Sequence, residues 1–453
     1  MINFFLYSIL PFLFILGFCV TIHEFGHFIF AKIFGIAVEK FSIGYGPPLI
    51  RMKIGETDFR IAYFPLGGYV KMAGEEEGII LKNDKSTGPE TEGQDTSIET
   101  AEKKTEETII PEKHDGFYDA PIYKRIVVVL SGPLFNIFSA FVILFLTFMI
   151  YGMVVTPFMH IEVDKGSYYA KSGFLTGDSI MAINNTPVNN WEEFLNDLTY
   201  HEKTIVTLLR DDEIIDIGVL FEAESTGLTP IVPPLLGSLK QNGPADKAGM
   251  KKGDIIIKIN DHQMHTWHQM VKLVRENRNV PLTFTWQHGD EYLVAEITPA
   301  SFYDPIDQDT IGQIGVFMPF SREYLPLFNA FGLAFTRTIE IIKRMLGIFY
   351  QLITRQIPAK QMGGPIAIFK LSTESAQWGF EHLLGLLMII SINLGIINLF
   401  PIPALDGGHI LIAIIEAIRR KRFSKKTMLV IQQIGYALIL LLIIFVTFND
   451  LTR

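Results

Sequence analysis

A single cysteine, Cys19, stands among the 453 residues. An intramolecular disulfide is thereby excluded, and any domain in an oxidising compartment holds together by packing alone. Charge is scarce too: 19% of the residues are Asp, Glu, Lys or Arg while 49% are hydrophobic, a balance that a soluble multidomain chain rarely has. The scarcity is concentrated. Ile126–His160, Leu383–Leu405 and Met428–Asn449 hold no Asp, Glu, Lys or Arg, and each exceeds the roughly 20 residues a helix needs to cross a bilayer. A fourth apolar stretch runs from the start to Ile22. It lacks the basic start and small-residue cleavage site of a secretory signal, so it reads as a retained helix. Four spans are expected.

The charge that is present falls in two places. Arg419, Arg420, Lys421, Arg422, Lys425 and Lys426 cluster just before the last apolar run, and a short basic connection belongs on the cytoplasmic side. An even number of spans then puts both termini and the long segment 168–380 outside, which for a bacterial inner membrane is the periplasm. Acidity gathers in Glu75–Asp115, with 13 carboxylates against 5 lysines and no aromatic residue. The net charge of −9 is therefore local, and no nucleic-acid partner is expected. Such a composition cannot bury enough apolar area to offset chain entropy, so 75–120 is expected to be an acidic, disordered cytoplasmic insert. A regulatory arm that touches basic loops is the alternative.

Shifted against itself by 76 residues, the chain superposes Gly173 on Gly249, Gly177-Asp178 on Gly253-Asp254, Ile183-Asn184 on Ile259-Asn260 and Trp191 on Trp267. Each copy reads as a Gly-Asp turn, a short alternating strand, an Asn turn and a helix starting near the Trp. The run from Gly243-Pro244-Ala245 to Gly253-Asp254 resembles bacterial PDZ domains, and two such α+β domains are expected, at 158–225 and 226–300. PDZ domains take extended peptides at a sheet edge. Peptide capture and a steric screen both stay open here, since Tyr168-Tyr169 stands in the first copy where Pro244-Ala245 stands in the second. Downstream, Phe328, Phe331, Phe335, Ile339, Ile342, Leu346 and Phe349 recur at three- and four-residue spacing. They predict an amphipathic helix within 301–380, either packed on the PDZ domains or lying at the membrane surface.

The first apolar stretch runs directly into His23-Glu24-Phe25-Gly26-His27. Residues four apart share a helical face, so both imidazoles can reach one ion. Glu24, projecting from an adjacent direction, can accept a proton from the attacking water and hand it to the leaving amine, as in zinc peptidases with the His-Glu-x-x-His pattern. Such polar groups at the end of a span are costly unless they face a polar cavity. Tetrahedral zinc with an open position needs a third protein ligand at similar depth. Asp406 is the candidate and His409 its rival, both in Asn398-Leu399-Phe400-Pro401-Ile402-Pro403-Ala404-Leu405-Asp406-Gly407-Gly408-His409. Two prolines and two glycines are expected to interrupt the helix there, and irregular backbone at that depth is tolerated only inside protein or beside a water-filled cavity.

The two motifs together resemble the site-2 proteases, intramembrane zinc peptidases that pair His-Glu-x-x-His in one span with Leu-Asp-Gly in a later one. The resemblance extends to Pro65-Leu66-Gly67-Gly68-Tyr69-Val70-Lys71-Met72, to Ser131-Gly132-Pro133-Leu134-Phe135-Asn136 and to the tandem PDZ domains, nearly the whole chain. It implies Zn2+ held by His23, His27 and Asp406, Glu24 as general base, and Asn398 as a holder of substrate backbone. From the sequence alone Asn398 serves equally well to satisfy unwound backbone nearby. The implied substrates are single-pass membrane proteins, among them an anti-sigma factor of the envelope stress response, and remnant signal peptides. Lys40–Tyr63 alternates around Gly55-Glu56-Thr57-Asp58 and reads as a hairpin; in the family a comparable sheet dips into the membrane and aligns substrate as an added strand.

The expected architecture is a multi-pass α-helical membrane protein of four transmembrane helices, with a membrane-associated β-hairpin or sheet and two α+β PDZ domains. The first helix occupies 1–34, the β region 35–74, the second helix 121–157, the third with its basic loop 381–427, and the fourth 428–453. The active site is expected near the cytoplasmic side of the bilayer. Two other classes compete: a scaffold with a structural metal, and a zinc transporter. Scaffolding has no use for Glu24, and transport would want further polar residues along the spans.

Overall fold

The computed structural model describes residues 5–74, 116–198, 203–221, 227–304 and 309–452; the acidic stretch 75–115 lies outside them. The longer helices are α1 (Leu10–Ile33), α2 (Ile122–Tyr151), α3 (Trp191–Asn196), α4 (Trp267–Glu276), α5 (Leu327–Ile353), α6 (Pro365–Trp378), α7 (Phe380–Asn398), α8 (Asp406–Arg419) and α9 (Lys425–Thr452). Strands β1 (Val38–Ile54) and β2 (Thr57–Met72) form an antiparallel ribbon between α1 and α2. Among the described residues four helices are long and apolar enough to cross a membrane: α1 with the π turn before it, α2, α7 and α9.

Apolar side chains alone do not choose helix partners in lipid, so close packing decides which spans meet. A Cβ on Gly26 of α1 would lie 2.6 Å from the Ser131 carbonyl oxygen of α2, and one on Gly395 of α7 would lie 2.9 Å from the Pro133 carbonyl oxygen. Glycine thus lets α1 and α7 reach the same stretch of α2. Ile15 and Cys19, Ala140 and Ile143, and Leu387, Ile392 and Ile396 seal the three helices in one buried cluster. A second cluster, with Ala31, Val38, Met72, Phe117 and Val128, clamps the ends of the ribbon between α1 and α2. Arg51 and Arg60 stand opposite each other across the ribbon, a repulsive pairing. Asp58 accepts from both, and the Arg60 and Arg51 hydrogen bonds hold its carboxyl below the usual range.

The duplication is visible in three dimensions. Strands 179–183, 186–187, 203–210 and 213–220 make one four-stranded sheet, and 255–259, 262–263, 282–288 and 291–297 make another with the same strand order. The repeated residues do the same work in each. Asp178 and Asp254 accept the N–H three residues before them, from Leu175 and Lys251, at 2.8 and 2.9 Å. Asn184 and Asn260 sit at positive φ, and their side chains bind the N–H of Ile205 and Thr283 on the next strand. Trp191 and Trp267 each open the helix of their unit. The second unit is longer than expected, because Ile314 and Val316 belong to its core. Residues 300–304 and 309–313 pair as strands, so the helical region begins at Leu327 and not near 301.

The segment between α2 and α5 leaves and returns side by side. Met153–Val155, just after α2, pairs with Ser321–Glu323, just before α5. Arg322 donates to the Tyr151 carbonyl at 2.8 Å and forks onto Glu381 of α7 at 3.1 and 2.5 Å, which ties this returning strand to α2 and α7. The amphipathic helix α5 packs on α2 and α7 rather than on the two repeated units. Its buried residues are not those of the phenylalanine stripe: Ala330, Ala334 and Thr338 are buried, and Phe328, Phe335, Ile339 and Leu346 are exposed. Small residues at four-residue spacing give close helix packing; of the large apolar residues, Phe331 meets Phe141 and Phe145, and Ile342 and Phe349 pack on the bundle, while Phe328, Phe335, Ile339 and Leu346 stay exposed.

The third span also differs from expectation. It ends at Asn398, and Asp406 opens a separate helix, α8. Only the prolines lie in the break; Gly407 and Gly408 are inside the first turn of α8, where a Cβ would collide with the carbonyls of Leu399, Phe400 and Ile402. The last helix, α9, is mostly exposed and held at its end. Buried Asp450 accepts the N–H groups of Gly364, Ile366 and Ala367 at 3.0, 3.1 and 3.0 Å, capping α6 from a distance in sequence. Asp450→Ala leaves those N–H groups unpaired. It is expected to lower the unfolding free energy in detergent by roughly 1.5–3 kcal/mol, the scale of hydrogen bonds to a charged group; unchanged thermal stability would count against the cap.

Candidate metal centre

His23 and His27 lie one turn apart on the buried side of α1, with ring centroids 4.8 Å apart and planes nearly perpendicular. Asp406 reaches them from the first residue of α8. The three side chains offer ligand atoms that all lie within 4.8 Å of one another. Their closest separations are 3.2 Å between His23 Nε2 and His27 Nε2, 3.0 Å between His23 Nε2 and Asp406 Oδ2, and 3.6 Å between His27 Nε2 and Asp406 Oδ1. A tetrahedral zinc ion with bonds of about 2.0–2.1 Å sets its ligand atoms about 3.3 Å apart. The three residues fit that ion in donor type and in spacing. Asp406 Oδ2 is buried with no hydrogen-bond partner, as a carboxylate oxygen left for a metal would be.

The other ring nitrogens decide whether the Nε2 atoms are available. His27 Nδ1 lies 2.8 Å from the Val128 carbonyl, which can only accept, so Nδ1 carries the proton and Nε2 presents its lone pair. That carbonyl also accepts from Ser131 Oγ at 2.6 Å. Pro133, inside α2, has no N–H for the neighbouring Val129 carbonyl, which loosens the helical ladder there. Gly132 completes the arrangement: a Cβ would strike the His27 imidazole and come within 2.9 Å of His23 Cε1. Ser131, Gly132 and Pro133 thus all serve the two histidines.

His23 Nδ1 faces Asn136, whose Nδ2 lies 3.3 Å away while its Oδ1 is buried without a partner. Oxygen and nitrogen of an amide are interchangeable by a half-turn. With Oδ1 toward the ring, Asn136 accepts from His23 Nδ1–H and leaves Nε2 free, matching His27. Asn136 is fully buried. Its place at the end of the Ser131–Asn136 motif, one turn and a half beyond Ser131, was the only sequence signal for it.

Glu24, half-buried, lines the same cavity as the three candidate ligands, a space of 470 Å³. The Val70 backbone N–H is directed at its carboxylate. The ribbon comes this near because of Gly68, where a Cβ would lie 2.8 Å from the Ser42 carbonyl oxygen and 3.3 Å from Glu24 Cγ. Asn398, the last residue of α7, also lines the cavity; among the described residues its amide meets only the His23 ring, at 3.5 Å. No hydrogen bond joins it to the unwound segment 399–405. His409 borders the cavity one turn beyond Asp406 but is outside the converging group. Tyr45, Tyr69 and Tyr436 wall it as well. Tyr436 was missed because its span looked uniformly apolar, although Gln432, Gln433 and Gly435 beside it interrupt that run.

Residues 11–442 match the model of Peptidase family M50. The chain is 31% identical over 479 residues to the regulator of sigma-E protease RseP of Escherichia coli strain K12, with 99% of each chain covered. It is 31% identical over 455 residues to the regulator of sigma-W protease RasP of Bacillus subtilis strain 168, again with 99% of each covered. Among solved structures, the PDZ domain of an SdrC-like protein from Listeria monocytogenes covers 20% of this chain and 90% of its own at 20% identity. Its TM-score is 0.17, too low to carry an argument. Full-length identity and a family match that includes both halves of the His-His-Asp cluster lead to one conclusion: the chain belongs to peptidase family M50, the site-2 proteases, and is an intramembrane zinc metalloprotease.

Proposed function

We propose that His23, His27 and Asp406 hold the catalytic zinc and that Glu24 is the general base. The observation that carries this is the meeting of three ligand atoms, drawn from helices almost 380 residues apart in sequence, on the wall of the cavity that Glu24 lines. Zinc bound there supplies the Lewis acidity that activates water and polarises a scissile carbonyl. Glu24 accepts the water's proton and returns it to the leaving nitrogen, with the Val70 N–H steadying the carboxylate between the two transfers. Asn136 and the Val128 carbonyl act through the histidines, orienting each ring. Asn398 has no backbone partner of its own to satisfy, which favours contact with the substrate's peptide groups.

The substrate is a single-pass membrane protein cut within or beside its transmembrane segment; anti-sigma factors and remnant signal peptides fit this class. The exposed Leu49, Ile50, Met52, Ile54, Tyr63 and Phe64 on the ribbon suit contact with lipid, and the ribbon's approach to Glu24 suits alignment of an unwound substrate strand. The two matching outer units are PDZ domains that restrict access or hold a substrate tail. The four apolar helices make four passes, and the basic loop before α9 puts the termini and these domains on the periplasmic face of the inner membrane.

With purified protein in detergent and a model transmembrane substrate, Glu24→Gln is expected to abolish cleavage while zinc content stays near one ion per chain. A variant that still cleaves overturns the mechanism. For the ring-orienting role, Asn136→Leu should weaken zinc affinity by roughly 10–100-fold, whereas Asn136→Asp, which keeps an acceptor, should largely preserve it. Equal zinc affinity in all three proteins would refute the assignment of Asn136. Gly132→Ala, which presses on both imidazoles, should likewise lose zinc without unfolding the bundle, as read from metal content and helical circular dichroism together.

A further inference from the structure

Where α2 begins and α8 ends, the structure holds a second sizeable cavity, 460 Å³, apart from the metal centre. Its charged lining is Asp119, Arg125, Glu416, Arg420, Lys421 and Arg422, four cations against two carboxylates. Both carboxylates are engaged. Arg125 Nη1 donates to Glu416 Oε2 at 2.9 Å, and Arg422 Nη1 lies 3.5 Å from Asp119 Oδ1. Arg420 and Lys421 have no carboxylate partner among the described residues. Arg420 takes a left-handed backbone at the end of α8, which turns the chain and leaves these two cations at the cavity.

Two further features point to an anion. No side chain caps the first turn of α2, whose Pro121 and Ile122 wall the cavity, so the positive end of a 30-residue helix meets it. Arg125 is only 4% exposed; it pairs with Glu416 and lies over the Phe117 and Tyr118 rings, yet its Nε has no hydrogen-bond partner. The depth is equally informative. Charge disappears from α2 at Ile126, one residue beyond Arg125, and from α9 at Met428. The cavity therefore lies where hydrocarbon gives way to headgroups.

We propose that this cavity binds a phosphate ester, presented by the headgroup of an anionic phospholipid. Phosphate suits a mixed arginine and lysine lining beside a helix N-terminus, and basic pockets between membrane helices take lipid headgroups in this manner. A ligand there would join the start of α2 to the end of α8, the helix that carries Asp406 at its other end.

The full chain in detergent is titrated with phosphatidylglycerol, phosphatidylcholine and inorganic phosphate, and retained ligand is counted by native mass spectrometry. Phosphatidylglycerol is expected to bind at least tenfold more tightly than phosphatidylcholine. The double variant Arg420→Ala/Lys421→Ala should weaken phosphatidylglycerol by about thirtyfold, from roughly fivefold per charge near a surface. Arg419→Ala/Lys426→Ala removes the same charge from outside the cavity and should change it by less than threefold. Equal losses in the two double variants would reduce the effect to general surface attraction and overturn the site. Inorganic phosphate binding as tightly as the lipid would overturn the lipid source. Zinc content and unfolding midpoint of each variant report whether it is folded, and neither depends on protease activity.

Discussion

Two imidazoles and a carboxylate can meet inside an apolar bundle only if every polar atom not given to the metal finds a partner, because lipid offers none. Much of the membrane domain answers to that demand. His27 spends its second nitrogen on the Val128 carbonyl, His23 faces Asn136, and Glu24 lies beside the Val70 backbone. Each of these partners sits on a different element from the residue it serves, so the elements have to stand unusually close. Glycine makes that possible at Gly26, Gly68 and Gly132, where even a methyl group would strike backbone or a ligand ring. The short motifs between the two halves of the proposed metal site are therefore rules of approach distance.

The segment that delivers Asp406 obeys the same constraint from the other side. Between Asn398 and Asp406 the backbone is irregular, and Ala404 is held at φ +79, a conformation costing of order 1–3 kcal/mol outside glycine. The loop is enclosed tightly enough to keep it there: Gly407 and Gly408 bring the first turn of α8 onto the Leu399, Phe400 and Ile402 carbonyls, and Gly435 of α9 lies against Pro403. With Asp406 as the first residue of α8, its carboxylate also stands at the positive end of a helix, which favours the ionised form that a metal ligand needs.

The parts of this structure legible in the sequence were those with a period or a spacing. The uncharged runs marked four apolar helices, the 76-residue offset marked a repeat whose Asp178/Asp254 and Asn184/Asn260 pairs have matching bonds, and the two short motifs marked His23, His27 and Asp406, whose atoms converge. What stayed hidden depends on which surfaces touch. The phenylalanine periodicity of α5 foretold a helix but not that Ala330, Ala334 and Thr338 would be its packing face, since in lipid the larger apolar face need not be the buried one. Gly407-Gly408 looked like helix breakers because composition cannot separate a glycine needed for its freedom from one needed for its size. Asn136 left no trace beyond a motif, because its partner lies 113 residues away.

The same physics bears on what reaches the cavity. A transmembrane helix satisfies all its peptide groups internally and so offers no accessible carbonyl to a hydrolase; it must lose several of those bonds before it is cut. Unwound in lipid, each freed group would cost several kcal/mol, so unwinding and docking on new partners have to happen together. Among the described residues, the only long run of strand beside the His23–His27–Asp406 cluster is the ribbon, brought against Glu24 by Gly68 and anchored by the cluster around Val38, Met72 and Val128. Water is the other requirement, and a 470 Å³ cavity with His23, Glu24, His27, Asn398 and Asp406 on its wall is polar and large enough to hold it. Exchange partners for the backbone and a local supply of water are thus present at the same point, and a soluble protease would need to build neither.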